Sequence, residues 1–128
     1  MRVLLDTHLL LWAVASSRRL SSEARSLLED PGNDAFYSAA SLWEIAIKAA
    51  LRRKDFRVDL PLMHSALSAM ELTELRVTSE HAMRVRELPP VHRDPFDRML
   101  VAQSLVEPMV LLTNDAVLAR YGPFVRVV

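Results

Sequence analysis

The 128-residue chain contains no cysteine, only two glycines and no excess of charge of either sign. Without cysteine it can form neither a disulfide framework nor a thiolate zinc site. Its 16 basic and 16 acidic residues cancel, which excludes the overall positive field that draws nonspecific binders onto nucleic acid. Any attraction to a polyanion must therefore be local.

Long hydrophobic runs are absent as well. The apolar stretch from Leu9 to Ala15 is far shorter than the roughly 20 residues that span a bilayer, and Asp6 and His8 interrupt anything longer. We therefore expect a soluble, cytoplasmic protein with no membrane contact. Apolar residues make up 51% of the chain, which suits a single globular domain over residues 1–128.

Short apolar runs alternate with helical patterns along the chain. The apolar runs predict strands over residues 2–5, 35–38, 72–77, 109–112 and 124–128. Helical spacing and capping residues predict helices over residues 9–15, 22–30, 39–53, 61–69, 79–88, 96–106 and 115–120. This alternation indicates an α/β fold with a parallel sheet covered by helices on both faces. Sheets of this kind bind ligands beyond the carboxyl ends of their strands.

Acidic residues from distant parts of the chain are expected near that edge of the sheet. The four are Asp6, Glu44, Asp97 and Asp115. Two like charges about 4 Å apart repel by roughly 4 kcal/mol at an effective dielectric constant near 20, so a cluster of carboxylates needs a compensating cation. Oxygen ligands, without cysteine or a histidine pair at metal spacing, favour Mg²⁺ or Mn²⁺ over zinc or copper.

Each acid also has a structural interpretation, namely that it caps a helix. Asp6 with Thr7 can cap the first helix, and Asn114 with Asp115 can form a turn or a cap. Two pairs have the spacing of a capping box, Ser41 with Glu44 and Asp94 with Asp97. Taken singly, capping explains each acid; taken together, the acids favour a metal site.

Four segments, in order, resemble the PIN domain family, and specifically the VapC-like toxins of bacterial toxin–antitoxin pairs. The resemblance covers nearly the whole chain. The segments are Leu4-Leu5-Asp6-Thr7-His8, Ser38-Ala39-Ala40-Ser41-Leu42-Trp43-Glu44-Ile45, His92-Arg93-Asp94-Pro95-Phe96-Asp97-Arg98-Met99-Leu100 with Ala102-Gln103 after it, and Leu112-Thr113-Asn114-Asp115.

The resemblance implies a three-layer α/β/α sandwich and an endoribonuclease that hydrolyses RNA phosphodiester bonds with metal-activated water. It implies that the principal metal ligands are Asp6, Glu44 and Asp97, with Asp115 as the fourth. By motif position, Asp94 is the helix cap beside Asp97. The last motif is compact, so either Asn114 or Asp115 can face the metal. Thr7 and Thr113 are expected to orient the acids.

Three basic residues near the acids are candidates for holding RNA phosphates. Arg98 follows Asp97 directly, and Lys48 and Arg52 lie one and two helical turns after Glu44. Solvated charges on a helix surface explain each of the three equally well. We assign no catalytic role to any of the four histidines, His8, His64, His81 and His92.

The resemblance also implies protein partners. VapC-like toxins pair with a small antitoxin whose tail lies across the active-site groove, and they commonly form homodimers. The apolar segment Leu9-Leu10-Leu11-Trp12 could supply such a dimer interface. Trp12 and Trp43 have spacings that favour core packing over an interface.

Other function classes fit less well. A haloacid-dehalogenase-like phosphatase needs a second acid two positions after Asp6, where His8 stands. A receiver-type signalling module needs an acid pair beside the first strand and a lysine after a late strand, and neither is present. A catalytically silent PIN scaffold that binds RNA or a protein stays open as the alternative.

Overall fold

A computed structural model describes residues 1–51 and 57–128. Its centre is a parallel sheet of five strands in the order β3-β2-β1-β4-β5. The strands are β1 Arg2–Leu5, β2 Asp34–Ser38, β3 Thr73–Leu75, β4 Val110–Thr113 and β5 Val125–Val127. The parallel sheet predicted from the sequence is confirmed.

Helices connect the strands. They are α1 Thr7–Val14, α2 Ser22–Glu29, α3 Ala39–Ala50, α4 Leu60–Ala69, α5 Ser79–Val85, α6 Pro95–Val106 and a 3-10 helix, Ala116–Tyr121. Each was predicted within a few residues, although the last was expected to be an ordinary helix. The predicted helix over residues 39–53 ends at Ala50, and residues 52 and 53 lie outside the described part of the chain.

Helices cover both faces of the sheet. Because side chains alternate between the faces along each strand, apolar residues of one strand contribute to the core on both sides. Val3 and Leu5 face a core cluster that includes Leu67 of α4, while Leu4 faces a second cluster that includes Val101 of α6. All five side chains are buried. The molecule is therefore the expected three-layer α/β/α sandwich.

The strand order reverses at β1, which has β2 on one side and β4 on the other. The carboxyl edge of a sheet at such a switch point is where α/β folds bind ligands. Asp6 follows β1 there, and its amide donates to the carbonyl of Leu112 in β4 at 3.0 Å. This hydrogen bond joins the two strand ends that frame the candidate site.

The apolar residues of α1 are divided between core and surface. Leu9 and Leu10 are buried in the core of this chain, so they are not available for a dimer interface. Leu11 and Trp12 are half-buried and pack against the same cluster. The expected interface segment is thus reduced to these two residues.

The prediction that Trp43 packs in the core is wrong, because Trp43 is 64% exposed. Its ring meets Phe96 of α6 edge-on, with centroids 5.3 Å apart. The helical spacing of Trp43 was right, but it lies on the side of α3 that faces away from the sheet.

In the part of the chain that the structure describes, no helix is long and apolar enough to cross a membrane.

Candidate metal centre

Asp6 is 2% exposed and both of its carboxylate oxygens accept hydrogen bonds. Oδ1 accepts from the Leu9 amide at 2.8 Å, and Oδ2 accepts from the Thr113 hydroxyl at 2.5 Å. Burial raises the pKa of Asp6, the two hydrogen bonds oppose the rise, and the charge of Glu44 adds to it. Asp6 therefore does cap α1, but the cap occupies only one of its oxygens.

Thr113 holds the Asp6 carboxylate at the end of β4. Its hydroxyl donates to Asp6 and accepts from the Asp115 amide at 3.0 Å. One buried hydroxyl thus connects two of the expected acids.

Glu44 is 3% exposed in the middle of α3. Its Oε2 accepts from Lys48 Nζ at 2.6 Å, while no group in residues 1–51 or 57–128 hydrogen-bonds its Oε1. A buried carboxylate oxygen without a partner is costly. The capping box predicted for Ser41 and Glu44 is wrong, because the N-cap of α3 is Ser38.

Thr7 and Ser41 join the helices that carry Asp6 and Glu44. The Thr7 hydroxyl donates to Ser41 Oγ at 2.9 Å, and both residues are buried. Ser41 lies one turn before Glu44 on α3, so this bond fixes α3 against the start of α1. The Thr7 hydroxyl therefore links α1 to α3 through its hydrogen bond with Ser41.

Asp94 and Asp97 have different roles at the start of α6: Asp94 caps the helix, and Asp97 belongs to the acid cluster. Asp94 Oδ1 accepts from the amides of Phe96 and Asp97, at 2.8 and 3.1 Å, and so caps α6. The Asp97 carboxyl group is left facing the other acids. Its pKa is raised to about 7 by burial, then by the charge of Asp94 and, to a smaller extent, by those of Asp6 and Glu44, with His92 opposing.

Asp115 and His92 complete the acid cluster at Asp97. One ligand atom from each of His92, Asp97 and Asp115 lies within 4.8 Å of the other two. Asp115 Oδ1 caps the 3-10 helix through the Val117 amide at 2.9 Å, while its Oδ2 lies 3.2 Å from His92 Nε2. Asn114 is exposed, so the geometry favours Asp115 over Asn114 as the residue facing the cluster.

Asp97 is close to His92 and Asp115, and it also experiences the charges of Asp6 and Glu44. Asp6 and Glu44 are not in the group within 4.8 Å, yet their charges raise the pKa of Asp97. Of the four predicted acids, Asp97 and Asp115 therefore lie together in this group, whereas Asp6 and Glu44 lie outside it and affect Asp97 through their charges. His92 is the residue that sequence reasoning missed; its position two residues before the cap Asp94 was the available signal.

Of the basic residues expected to hold phosphates, Lys48 and Arg98 are engaged within the protein, and Arg52 lies outside the described residues. Lys48 pairs with Glu44 at 2.6 Å. The Arg98 guanidinium donates to the Tyr121 hydroxyl and to the carbonyls of Val85, Pro89 and His92, at 3.1 to 3.4 Å. These bonds favour a role in holding the site together over a role in binding RNA.

The donor set fits a hard divalent cation. It offers carboxylate oxygens, among them the unpartnered Glu44 Oε1, and the described neighbours of these acids supply little compensating positive charge. Mg²⁺ and Mn²⁺ prefer such ligands. The residues that would hold the ion are Asp6, Glu44, Asp97 and Asp115.

The fold and the site together define an α/β protein with an acidic candidate metal centre at the switch point of its sheet. Residues 3–122 match the PIN domain family. The chain belongs to this family, and the resemblance identified from its sequence motifs is confirmed.

Solved structures with the same fold come from toxin–antitoxin complexes. The chain is similar to a chain in VapBC2 from Rickettsia felis bound to a promoter DNA fragment, with 16% identity, TM-score 0.70, and coverage of 100% of this chain and 98% of that one. It is similar to a chain in a toxin–antitoxin complex from Klebsiella pneumoniae, with 22% identity, TM-score 0.67 and coverage of 98% and 96%.

A third similar structure is DNA-bound VapBC from Salmonella typhimurium, with 13% identity, TM-score 0.67, and coverage of 100% of this chain and 97% of that one. At these identities the likeness establishes the fold. No curated protein matches the sequence.

Proposed function

We propose that the chain is a Mg²⁺- or Mn²⁺-dependent endoribonuclease that acts as the toxin of a toxin–antitoxin pair. The observation that carries the proposal is the position of Asp97, which has a ligand atom within 4.8 Å of ligand atoms of Asp115 and His92, and whose pKa is raised by burial and by neighbouring carboxylates. A site that keeps acids so close at the ligand-binding edge of a sheet is suited to a divalent cation.

A divalent ion held by Asp6, Glu44, Asp97 and Asp115 would supply the positive charge that activates water and offsets the charge developing on the scissile phosphate. Asp97 would hold the ion in its carboxylate form, because only that form is a good ligand. Lys48 holds one oxygen of Glu44 and leaves Oε1 for the metal. Thr113 keeps Asp6 in one orientation.

The attacking group in this proposal is water, so the chain needs no nucleophilic side chain. From the family resemblance we expect products with a 5′-phosphate and a 3′-hydroxyl. The preference for RNA over DNA also comes from the resemblance and is part of what the experiment must test.

The partners follow from the neighbours. The similar solved structures are toxin–antitoxin complexes, which supports a cognate antitoxin for this chain as well. We also propose a homodimer, with half-buried Leu11 and Trp12 as the remaining candidates for its interface. A toxin that cleaves cellular RNA acts in the cytoplasm, which is the location we propose.

The central test is cleavage by the purified protein, freed of any copurified protein, on a panel of structured RNAs, single-stranded RNA and single-stranded DNA. We expect RNA cleavage with Mg²⁺ or Mn²⁺ and none with EDTA. Asp97→Asn is the inactive variant, and His64→Ala, on the exposed surface of α4, is the matched control. Cleavage that persists in EDTA or in Asp97→Asn would contradict the proposal.

The toxin assignment has its own test in bacterial cells. Induced expression of the wild-type chain should arrest growth, while Asp97→Asn should not. Coexpression of the open reading frame adjacent to the natural gene should restore growth and inhibit cleavage by the purified complex. Growth arrest by Asp97→Asn equal to that of the wild type would contradict the nuclease as its cause.

A further inference from the structure

The loop between α5 and α6 carries His92 into the acid cluster. Its Nε2 lies 3.2 Å from Asp115 Oδ2 and 3.6 Å from Asp97 Oδ2. A histidine between two acids could be a third metal ligand, or it could be a hydrogen-bond donor that orients them. The other ring nitrogen distinguishes these alternatives.

His92 Nδ1 lies 3.1 Å from the backbone amide of Asp94, which can only donate. Nδ1 must therefore accept with its lone pair, and the neutral ring carries its proton on Nε2. A protonated Nε2 donates to a carboxylate oxygen and has no lone pair for a metal. Within the group His92, Asp97 and Asp115, only the two carboxylates have lone pairs free for an ion.

The loop that carries His92 is held in place from two sides. The Arg98 guanidinium on α6 donates to the carbonyls of Val85, Pro89 and His92. The Tyr121 hydroxyl accepts from both Arg98 and the His92 amide, each at 3.1 Å. The backbone on both sides of the imidazole ring is thereby fixed.

Asp115 is the acid that most needs such support. Its side chain is 38% exposed and it begins a short 3-10 helix. The Val117 amide holds Oδ1, and His92 Nε2 holds Oδ2, so the carboxylate is fixed at both oxygens. Without the imidazole donor, Oδ2 would be free to rotate away from Asp97.

We propose that His92 is a positioning residue of the metal centre: its Nε2–H fixes Asp115 beside Asp97, and Arg98 and Tyr121 hold the loop that presents it. The inference rests on the proposed metal-dependent function. Groups that orient metal-binding side chains typically change metal affinity about 10- to 100-fold.

The first test is Mn²⁺ binding measured by calorimetry on three His92 variants. We expect His92→Ala to weaken binding about 10-fold. His92→Gln should stay within about 3-fold of the wild type, because its amide nitrogen reaches the position of Nε2; the shorter His92→Asn should behave like His92→Ala. His64→Ala is the control and should bind as the wild type does. Wild-type affinity in His92→Ala would overturn the inference while leaving the nuclease proposal intact.

The second test needs no variant. Nitrogen-15 NMR of the histidine rings should assign the proton of His92 to Nε2 in the metal-free protein, and the Nε2–H signal should persist when Mg²⁺ is added. A neutral ring with its proton on Nδ1, or loss of the Nε2–H when Mg²⁺ saturates the site, would leave the Nε2 lone pair free for the ion and overturn the inference. A wild-type protein that binds no divalent ion at all would instead contradict the proposed function.

Discussion

A histidine lies beside carboxylates at each end of α6. At the amino end, His92 faces Asp97 and Asp115; at the carboxyl end, His81 faces Glu107. In both, Nδ1 accepts from a backbone amide, that of Asp94 or of Thr78, and Nε2 lies near a carboxylate.

The difference lies in the balance between donors and carboxylates. His81 is 0% exposed and its Nε2 meets a single carboxylate, that of Glu107, at 2.6 Å, so one donor serves one carboxylate. At the amino end, one imidazole meets two carboxylates, and Asp6 and Glu44 add their charges. We infer that the balanced contact stabilises the fold, whereas the excess of acids is kept for a cation.

The largest expected difference between the two ends is in RNA cleavage. Asp97→Asn should lower the cleavage rate at least about 1000-fold, because a metal ligand and its charge are lost. Glu107→Gln, at the other end of the helix, should leave the rate within about 2-fold, since the described hydrogen bonds of Glu107 are with Arg2, His81 and Gln103. Single-turnover cleavage assays measure both rates, and comparable losses in the two variants would contradict the distinction.

The second difference is in the sign of the stability change. In EDTA, Asp97→Asn should raise the free energy of unfolding by about 1–3 kcal/mol above neutral pH, because an unfavourable buried charge is removed. His81→Phe should lower it by about 1–3 kcal/mol, because the amide of Thr78 and the carboxylate of Glu107 lose their partner. Urea unfolding compares the two, and destabilisation by both would favour a purely structural role for Asp97.

The pH dependence of stability should come from the amino end of α6, the acid-rich end, where Asp97 and Asp115 lie together. The pKa of Asp97 is raised from 3.8 to about 7, so the folded protein binds more protons than the unfolded chain between these values. The free energy of unfolding of the metal-free protein should therefore fall as pH rises through this interval. Asp97→Asn should flatten this dependence, and an unchanged slope in urea titrations of the variant would argue against the shifted pKa.

The smallest expected effect is that of replacing Asp94, which caps α6 and is not a proposed metal ligand, unlike Asp97. Asp94→Ala removes the cap of α6 and should cost about 1 kcal/mol of unfolding free energy. Cleavage should fall less than about 10-fold, because Asp94 is not one of the proposed ligands. Denaturation and cleavage assays on this variant measure both quantities. Loss of activity as complete as in Asp97→Asn would make Asp94 part of the metal centre.

Much of the fold could be predicted because its signals are local. Apolar runs and helical spacing are properties of a few neighbouring residues, and they indicated a parallel α/β sheet with Asp6 and Asp115 at the ends of strands. The strand order was not predicted, since it depends on contacts between distant segments. The switch point between β1 and β4 became visible only in three dimensions.

The sequence motifs predict the acids of the candidate site, but they do not predict the contacts around those acids. Glu44 was placed by motif, but the capping alternative failed because the true cap is Ser38. His92 was passed over because its partner Asp115 lies 23 residues away in sequence, a separation that no local pattern encodes. Arg98 was taken for a possible phosphate contact for the same reason: its partner Tyr121 is equally remote.

The most direct test of the acid-rich end is calorimetric titration with Mn²⁺ at about pH 6, in two buffers that differ in ionisation enthalpy. The wild-type protein should bind Mn²⁺ with release of about one proton per ion, because Asp97 is protonated below its raised pKa. Asp97→Asn should lose this proton release and most of the affinity. Equal affinity and equal proton release in the two proteins would contradict the metal centre.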